Sequence, residues 1–198
     1  VQLPYNFSRG GHDGQSYQAT QWYPKPAVYD KKGWHPMPYL DQGEFYSEFG
    51  NFDVRITVPE NYIVAAAGEL QNKEELTKLK QKAESYERDL KIFIDTKKSL
   101  SKKANPPDST PVSAKTTKTL QYKQNNVHDF AWFADKRFIV NYDILKLSSG
   151  KALDVFTYYL PSQSSVWAES IAYSKKSILH YSKLVGEYPY SIVSVVQG

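Results

Sequence analysis

The first fifty residues are punctuated by Pro24, Pro26, Pro36 and Pro38, set among Trp22, Tyr23, Tyr29, Trp34 and Tyr39. Proline fixes φ and has no amide proton, so prolines this close together exclude a helix and interrupt any sheet ladder. What remains open to this stretch is turns and short edge strands. Immediately after it, Phe52, Val54, Ile56 and Val58 alternate with Asp53, Arg55 and Thr57. A period of two with one apolar face is the pattern of a half-buried strand. Pro59-Glu60-Asn61 then predicts a turn, and Tyr62–Ala67 a returning strand. Gly10-Gly11-His12-Asp13-Gly14, upstream, reads as a flexible turn.

Beyond Asn72 the texture changes. From there to about Leu100 the chain has neither proline nor glycine, and Lys and Glu dominate. Leu76, Leu79, Ala83, Tyr86, Leu90 and Phe93 recur in steps of three and four, which places them on one helix face. At 1.5 Å per residue such a helix spans roughly 40 Å if unbroken. Its apolar seam predicts docking onto the rest of the chain, with a partner-helix seam as the alternative. Pro106, Pro107 and Pro111 mark 101–113 as a loop, so 72–113 reads as a helical insertion.

Strand patterns resume at Thr116–Lys123, with Leu120 and Tyr122 on one side, then at Phe130–Phe133 and at Phe138–Leu147. Leu153–Leu160 is apolar on both faces, the signature of a buried strand. A helix is expected from about Ser164 to Val185, with Trp167, Ile171, Ile178, Tyr181 and Val185 near helical spacing. Gly186 is its expected cap and Pro189 its stop. The tail Val195-Val196-Gln197-Gly198 reads as the end of a further strand.

Composition narrows the possible functions. Of 198 residues 40% are hydrophobic, which is enough for a core, and 15% are aromatic, which favours pleated half-buried surfaces. There is no cysteine, so disulfides, thiolate metal ligands and thiol catalysis are excluded. No apolar run reaches the roughly 18 residues of a membrane-spanning helix. The net charge of +4 is mild, and the lysines of 73–103 are interleaved with Glu and Asp. That pattern describes a solvated helix face, and nucleic acid is not expected as a partner.

Motifs for chemistry are sparse. The four histidines, His12, His35, His128 and His180, lie outside helical reach of one another. H-E-x-x-H, the spacing that puts two imidazoles over zinc, does not occur, so no residue here is assigned as catalytic or as a metal ligand. His128-Asp129 sits between strands, where a structural His–Asp contact is the plain reading. His180 belongs to the polar side of a helix and is expected in solvent. Carboxylate pairs such as Glu44 with Glu48 and Glu74 with Glu75 read as surface charge, since acid–base work needs opposed carboxylates in a cleft. The exception to this plainness is the block Thr20–Asp30 followed by Gly33-Trp34-His35-Pro36. Flat rings give contact area at low entropic cost, so the Trp22–Trp34 block fits either a packed structural corner or a platform for glycans or peptides.

This block resembles the aminopeptidase N-like (gluzincin) zinc metallopeptidases, in particular their bacterial envelope branch. The resemblance is carried by Gln21–Asp30, Gly33–Leu40, Gly43–Gly50, Phe52–Pro59 and Tyr62–Leu70. It continues through Asn126-Val127-His128-Asp129-Phe130-Ala131-Trp132 and then Tyr181-Ser182 through Gly186-Glu187-Tyr188-Pro189-Tyr190. It therefore covers most of the chain outside the insertion.

Several expectations follow from the resemblance. The fold is expected to be mainly β: an incomplete antiparallel β-sandwich of the saddle-like N-terminal kind over 1–150, with the insertion near 72–113. Residues 151–198 are expected to be the strand and helix that begin a thermolysin-like α/β catalytic domain. The family removes N-terminal residues from peptides with one zinc, held by H-E-x-x-H and a downstream Glu. This chain is expected to begin inside the N-terminal domain and to stop ahead of the substrate-holding phrase. It is expected to be inactive alone, scaffolding and walling the cleft of a larger peptidase that carries the zinc. By the same resemblance Gln21 lines the first substrate subsite. Tyr23 stands where many members have an acid or amide for the peptide amine, and it is the second expected substrate contact. The expected partners are a peptide substrate, the rest of the larger polypeptide and, through uncovered sheet edges, a second copy of the chain. The expected setting is the periplasm, the envelope or the exterior.

Overall fold

The computed structural model describes residues 3–6, 10–38, 46–96 and 109–198. The fold is mainly β, an antiparallel sandwich with a helical insertion and an α/β tail. One layer contains β1 (Gly10–Asp13), β2 (Ser16–Ala19), β6 (Ile63–Ala66) and β9 (Trp132–Asp135), in the order β1-β2-β9-β6. The other contains β5 (Gly50–Pro59), β7 (Glu69–Leu70) and β8 (Thr117–Val127), in the order β5-β8-β7. β3 (Val28–Asp30) and β4 (Gly33–His35) form a separate small hairpin.

The alternation at 52–58 does what its period dictates. Ile56 is buried and Phe52, Val54 and Val58 pack around it, while Asp53, Arg55 and Thr57 face solvent. Across the sandwich Leu120 and Tyr122 of β8 meet Val64, Ala66, Phe130 and Ala134. The Tyr122 hydroxyl donates to the Val64 carbonyl at 3.0 Å, which satisfies a polar group that would otherwise be stranded in the core. Each such large side chain contributes roughly 1.5–3 kcal/mol on full burial.

The turn at Pro59-Glu60-Asn61 forms, but the strand after it does not return along β5. β5 pairs with β8, and β6 pairs with β9 in the opposite sheet. The reason is that β6 is buried on both faces. Val64 and Ala66 point into the sandwich, and Ile63 and Ala65 into a second core with Ala83, Phe138, Val140, Phe156 and Tyr158. The glycine-rich segment at 10–14 also differs from the expected flexible turn, because Gly10–Asp13 is strand β1 paired with β2. Gly11 adopts φ +140°, and a Cβ there would lie 2.4 Å from the Pro4 carbonyl oxygen. The glycine therefore serves close backbone approach.

The insertion is helix α1 (Lys73–Thr96), whose Leu76, Leu79 and Ala83 dock onto both cores. Residues 97–108 and the side chains of Leu90 and Phe93 lie outside the described residues. Asn72 moors the start of the helix by donating to the Thr119 carbonyl and accepting from the Gln121 amide. Further along, Lys80 forms an ion pair with Asp154 at 3.0 Å, and Tyr142 donates to the same carboxylate at 2.6 Å.

A further sheet completes the described chain: β10 (Ile139–Lys146), β11 (Ala152–Tyr159) and β12 (Ile192–Val196), in that order. β10 and β11 are an antiparallel hairpin, and β12 joins β11 in parallel after a helical crossover, a βαβ arrangement. Position 150/151, the expected domain boundary, falls in the hairpin turn. The single expected helix is two: α2 (Ser164–Trp167), which follows a 3-10 turn, and α3 (Ser170–Val185). Ile171 and Ile178 pack against Leu145, Leu147, Leu153 and Val155. Tyr181 and Val185, expected on the same face, are exposed. Gly186 ends α3 at φ +109°, as its cap.

A carboxylate-centred candidate site

The site is built where the first and second family-like phrases meet. After β2 ends at Ala19 the chain turns sharply through Gln21, at φ +53°. Near the end of β8, where its register with β5 shifts between Gly50 and Phe52, Asn126 sits at φ +54°. Among the described residues these are the two non-glycine positions with positive φ. A side chain held in the left-handed region costs of order 1–3 kcal/mol, and it persists only where surrounding contacts enforce it.

At Gln21 the side chain is held by Asp129, in the loop between β8 and β9. Gln21 Nε2 donates to its Oδ2 at 2.8 Å, and the Tyr23 hydroxyl donates to its Oδ1 at 3.1 Å. Lys25 Nζ stands 3.1 Å from Oδ1, and the Phe130 amide donates to the same oxygen at 2.7 Å. The neighbouring Trp22 donates its indole N–H to the Phe130 carbonyl at 2.8 Å. Residues 21–25 are thus laced to 129–130. Three alternate residues of the segment, Gln21, Tyr23 and Lys25, take the carboxylate.

Ring packing supports the polar contacts. Tyr23 meets Trp22 and Phe52 edge-on, each at 5.5 Å between centroids, and Phe52 stacks on the fully buried Phe130 at 5.7 Å. Lys25 Nζ lies 5.6 Å from the centre of the Tyr23 ring. Burial pushes the Tyr23 phenol well above its ordinary range, and the Asp129 charge and hydrogen bond push it the same way. At neutral pH Tyr23 is therefore a hydroxyl donor committed to Asp129, and Gln21 keeps its amide oxygen for another partner.

Both expected contact residues are accordingly brought together, and the residue that joins them is one the sequence marked only as the neighbour of His128. Asp129 stands beside His128 in the chain, which suggested a His–Asp contact. Its carboxylate is instead occupied by Gln21, Tyr23 and Lys25, while the exposed His128 ring packs 5.9 Å from Phe49. The sequence signals for Asp129 were its place beside His128 and within Asn126–Trp132, and neither names Gln21 or Tyr23 as its partner.

The Trp22–Trp34 block divides into two groups of rings. Trp22 belongs to the Asp129 site, whereas Trp34 pairs with Tyr29 across the β3–β4 hairpin at 5.0 Å, 69% and 65% exposed respectively. Beneath them His35 Nε2 is 2.8 Å from Asp30 Oδ1, and Tyr46 packs edge-on to His35 at 5.4 Å. His180 is exposed, and Glu75 is held by Lys78 and Lys118. Glu44 lies outside the described residues. Among the described residues no three His, Asp or Glu side chains cluster to hold a metal ion. Nor is any described helix long and apolar enough to cross a membrane. No family model matches the chain, and no curated protein matches it.

Proposed function

We propose that this chain is a noncatalytic part of a zinc-dependent aminopeptidase-like metallopeptidase, and that it walls the cleft of that larger enzyme with Gln21 and Tyr23 against the peptide. The observation that carries the reading is the convergence of Gln21 and Tyr23 on Asp129, across 106 or more residues of sequence. The left-handed backbone of Gln21 and the shared carboxylate make a pre-set polar edge, and such strain gathers at ligand-binding positions. The zinc would be held outside these residues and would supply an acidified water and a Lewis acid. Here the part played by Gln21, Tyr23 and the sandwich is to orient and enclose. The setting of such a peptidase is the periplasm, the envelope or the exterior.

The test is to read the coding sequence downstream for H-E-x-x-H, express the joined polypeptide and assay aminoacyl-arylamide hydrolysis with and without chelator. Chelator-sensitive hydrolysis that weakens in Gln21→Ala supports the reading. A downstream frame without the motif refutes it. A second reading, an aromatic binding module, is favoured by the exposed Tyr29–Trp34 pair. It predicts a change in tryptophan fluorescence on titration with oligosaccharides or peptides, lost in Trp34→Ala.

A further inference from the structure

We propose that Asp129 is the positioning residue of this site: its carboxylate, presented from the loop between β8 and β9, fixes the two side chains that the cleft reading sets against a peptide. The inference rests on that reading and adds to it the residue on which the geometry depends. Each Asp129 oxygen has its own duty, Oδ2 for the Gln21 amide and Oδ1 for the Tyr23 hydroxyl. The carboxylate is itself fixed from behind by the Phe130 amide, whose side chain is fully buried in the sandwich core. The chain of constraint therefore runs from core to loop to Asp129 to Gln21 and Tyr23. Gln21 gains most from it, because its left-handed backbone (φ +53°) is unfavourable for any residue with a side chain. With the acceptor removed, its backbone relaxes toward the β region and its side chain swings away. Tyr23 then loses the acceptor that aims its hydroxyl. Lys25 Nζ shares Oδ1 with Tyr23, so a third side chain of the same segment is tied to this carboxylate.

The experiment compares the 198-residue chain with Asp129→Ala and Asp129→Asn. It reads the amide-to-α-proton coupling of Gln21, the 13Cζ resonance of Tyr23 (assigned with Tyr23→Phe) and the affinity for L-alanyl-L-alanine amide. Resonances of β10 and β11 report whether the variant is folded. The expected result is loss of the positive-φ coupling at Gln21, a shifted Tyr23 resonance and at least a tenfold weaker response to the dipeptide, with β10 and β11 unchanged. Should Asp129→Ala fail to fold, the near-isosteric Asn variant carries the same readouts. Its expected result is a displaced Tyr23 or Gln21, because one acceptor and the charge are gone. Gln21 and Tyr23 unmoved in a folded variant would overturn the positioning role, whatever the dipeptide does. A wild-type chain that ignores the dipeptide, while the variants do release Gln21 and Tyr23, would overturn the cleft reading and the substrate role with it.

Discussion

Alanine at Gly68 should damage this fold far more than alanine at Gly150, although the two glycines share nearly the same backbone angle, φ +82° and +88°. Left-handed geometry costs a side-chain-bearing residue roughly 1–2 kcal/mol. Stiffening the unfolded chain returns about 0.4–1 kcal/mol of that. At Gly150, in the β10–β11 turn, nothing lies within 4 Å of an added Cβ, so the net loss there is about 1 kcal/mol. At Gly68 the same atom would lie 2.5 Å from the Lys123 carbonyl oxygen and 2.9 Å from the Lys123 carbonyl carbon and the Gln124 Cβ. Those atoms belong largely to the backbone of β8, which cannot rotate out of the way. Gly68 is also where the chain leaves β6 in one sheet for β7 in the other. Forcing β8 outward adds roughly 1–3 kcal/mol, for a total of about 2–4 kcal/mol. In a chain of this size each 1 kcal/mol moves the melting midpoint by roughly 2–4 °C. Urea unfolding of both variants, with m checked for constancy, measures the difference. If Gly68→Ala lies within about 0.5 kcal/mol of Gly150→Ala, the close approach of β8 is not what requires glycine there.

Leu153→Ala, at a fully buried position beneath α3, should cost about 2–5 kcal/mol by chemical denaturation; a loss under 1 kcal/mol would mean that α3 is not seated on β11. A double-mutant cycle of Lys80→Met with Asp154→Asn should show a coupling of roughly 1 kcal/mol, since the pair is partly exposed and Tyr142 shares the carboxylate; no coupling would remove this contact as a clamp on α1. Burial pushes the phenols of Tyr122, Tyr158 and Tyr159 above the ordinary value of 10.0. Above about pH 10 the unfolded chain therefore releases protons that the native chain keeps, so the stability is fully present below that pH and falls as pH rises beyond it. The urea midpoint should drop between pH 9 and pH 11, and a flat profile would contradict the burial of these rings.

Much of the architecture was legible because local pattern and tertiary burial agree. β5 alternates with a clean period of two, and the same four side chains face the core. α1 carries its leucines at helical spacing in a stretch without proline or glycine, and Leu76 and Leu79 belong to its docking face. β11 is apolar on both sides and becomes the middle strand of its sheet. The misreadings share a cause. Tyr62–Ala67 has strand propensity, but propensity does not name a partner. That β6 joins β9 instead of returning along β5 is settled by the need to bury both its faces. Tyr181 and Val185 continue the spacing of α3 past the point where β10 and β11 can cover them. Gly11 was legible as a glycine but not as a strand residue, because the Pro4 carbonyl that requires it approaches from elsewhere in the chain.

The candidate site divides in the same way. The family resemblance marks Gln21 and Tyr23, while residue type and order mark the aromatic block, exclude thiol chemistry and leave the chain without H-E-x-x-H. They also forbid helix among the closely spaced prolines, since that constraint is steric and local. The tertiary structure alone decides that Asp129 is the partner of Gln21 and Tyr23 and that Trp22 and Trp34 serve different groups of rings. A hydrogen bond between residues 108 apart in sequence leaves no periodicity to read. It exists because two sheets, packed on one core, bring the ends of β2 and β8 to the same place.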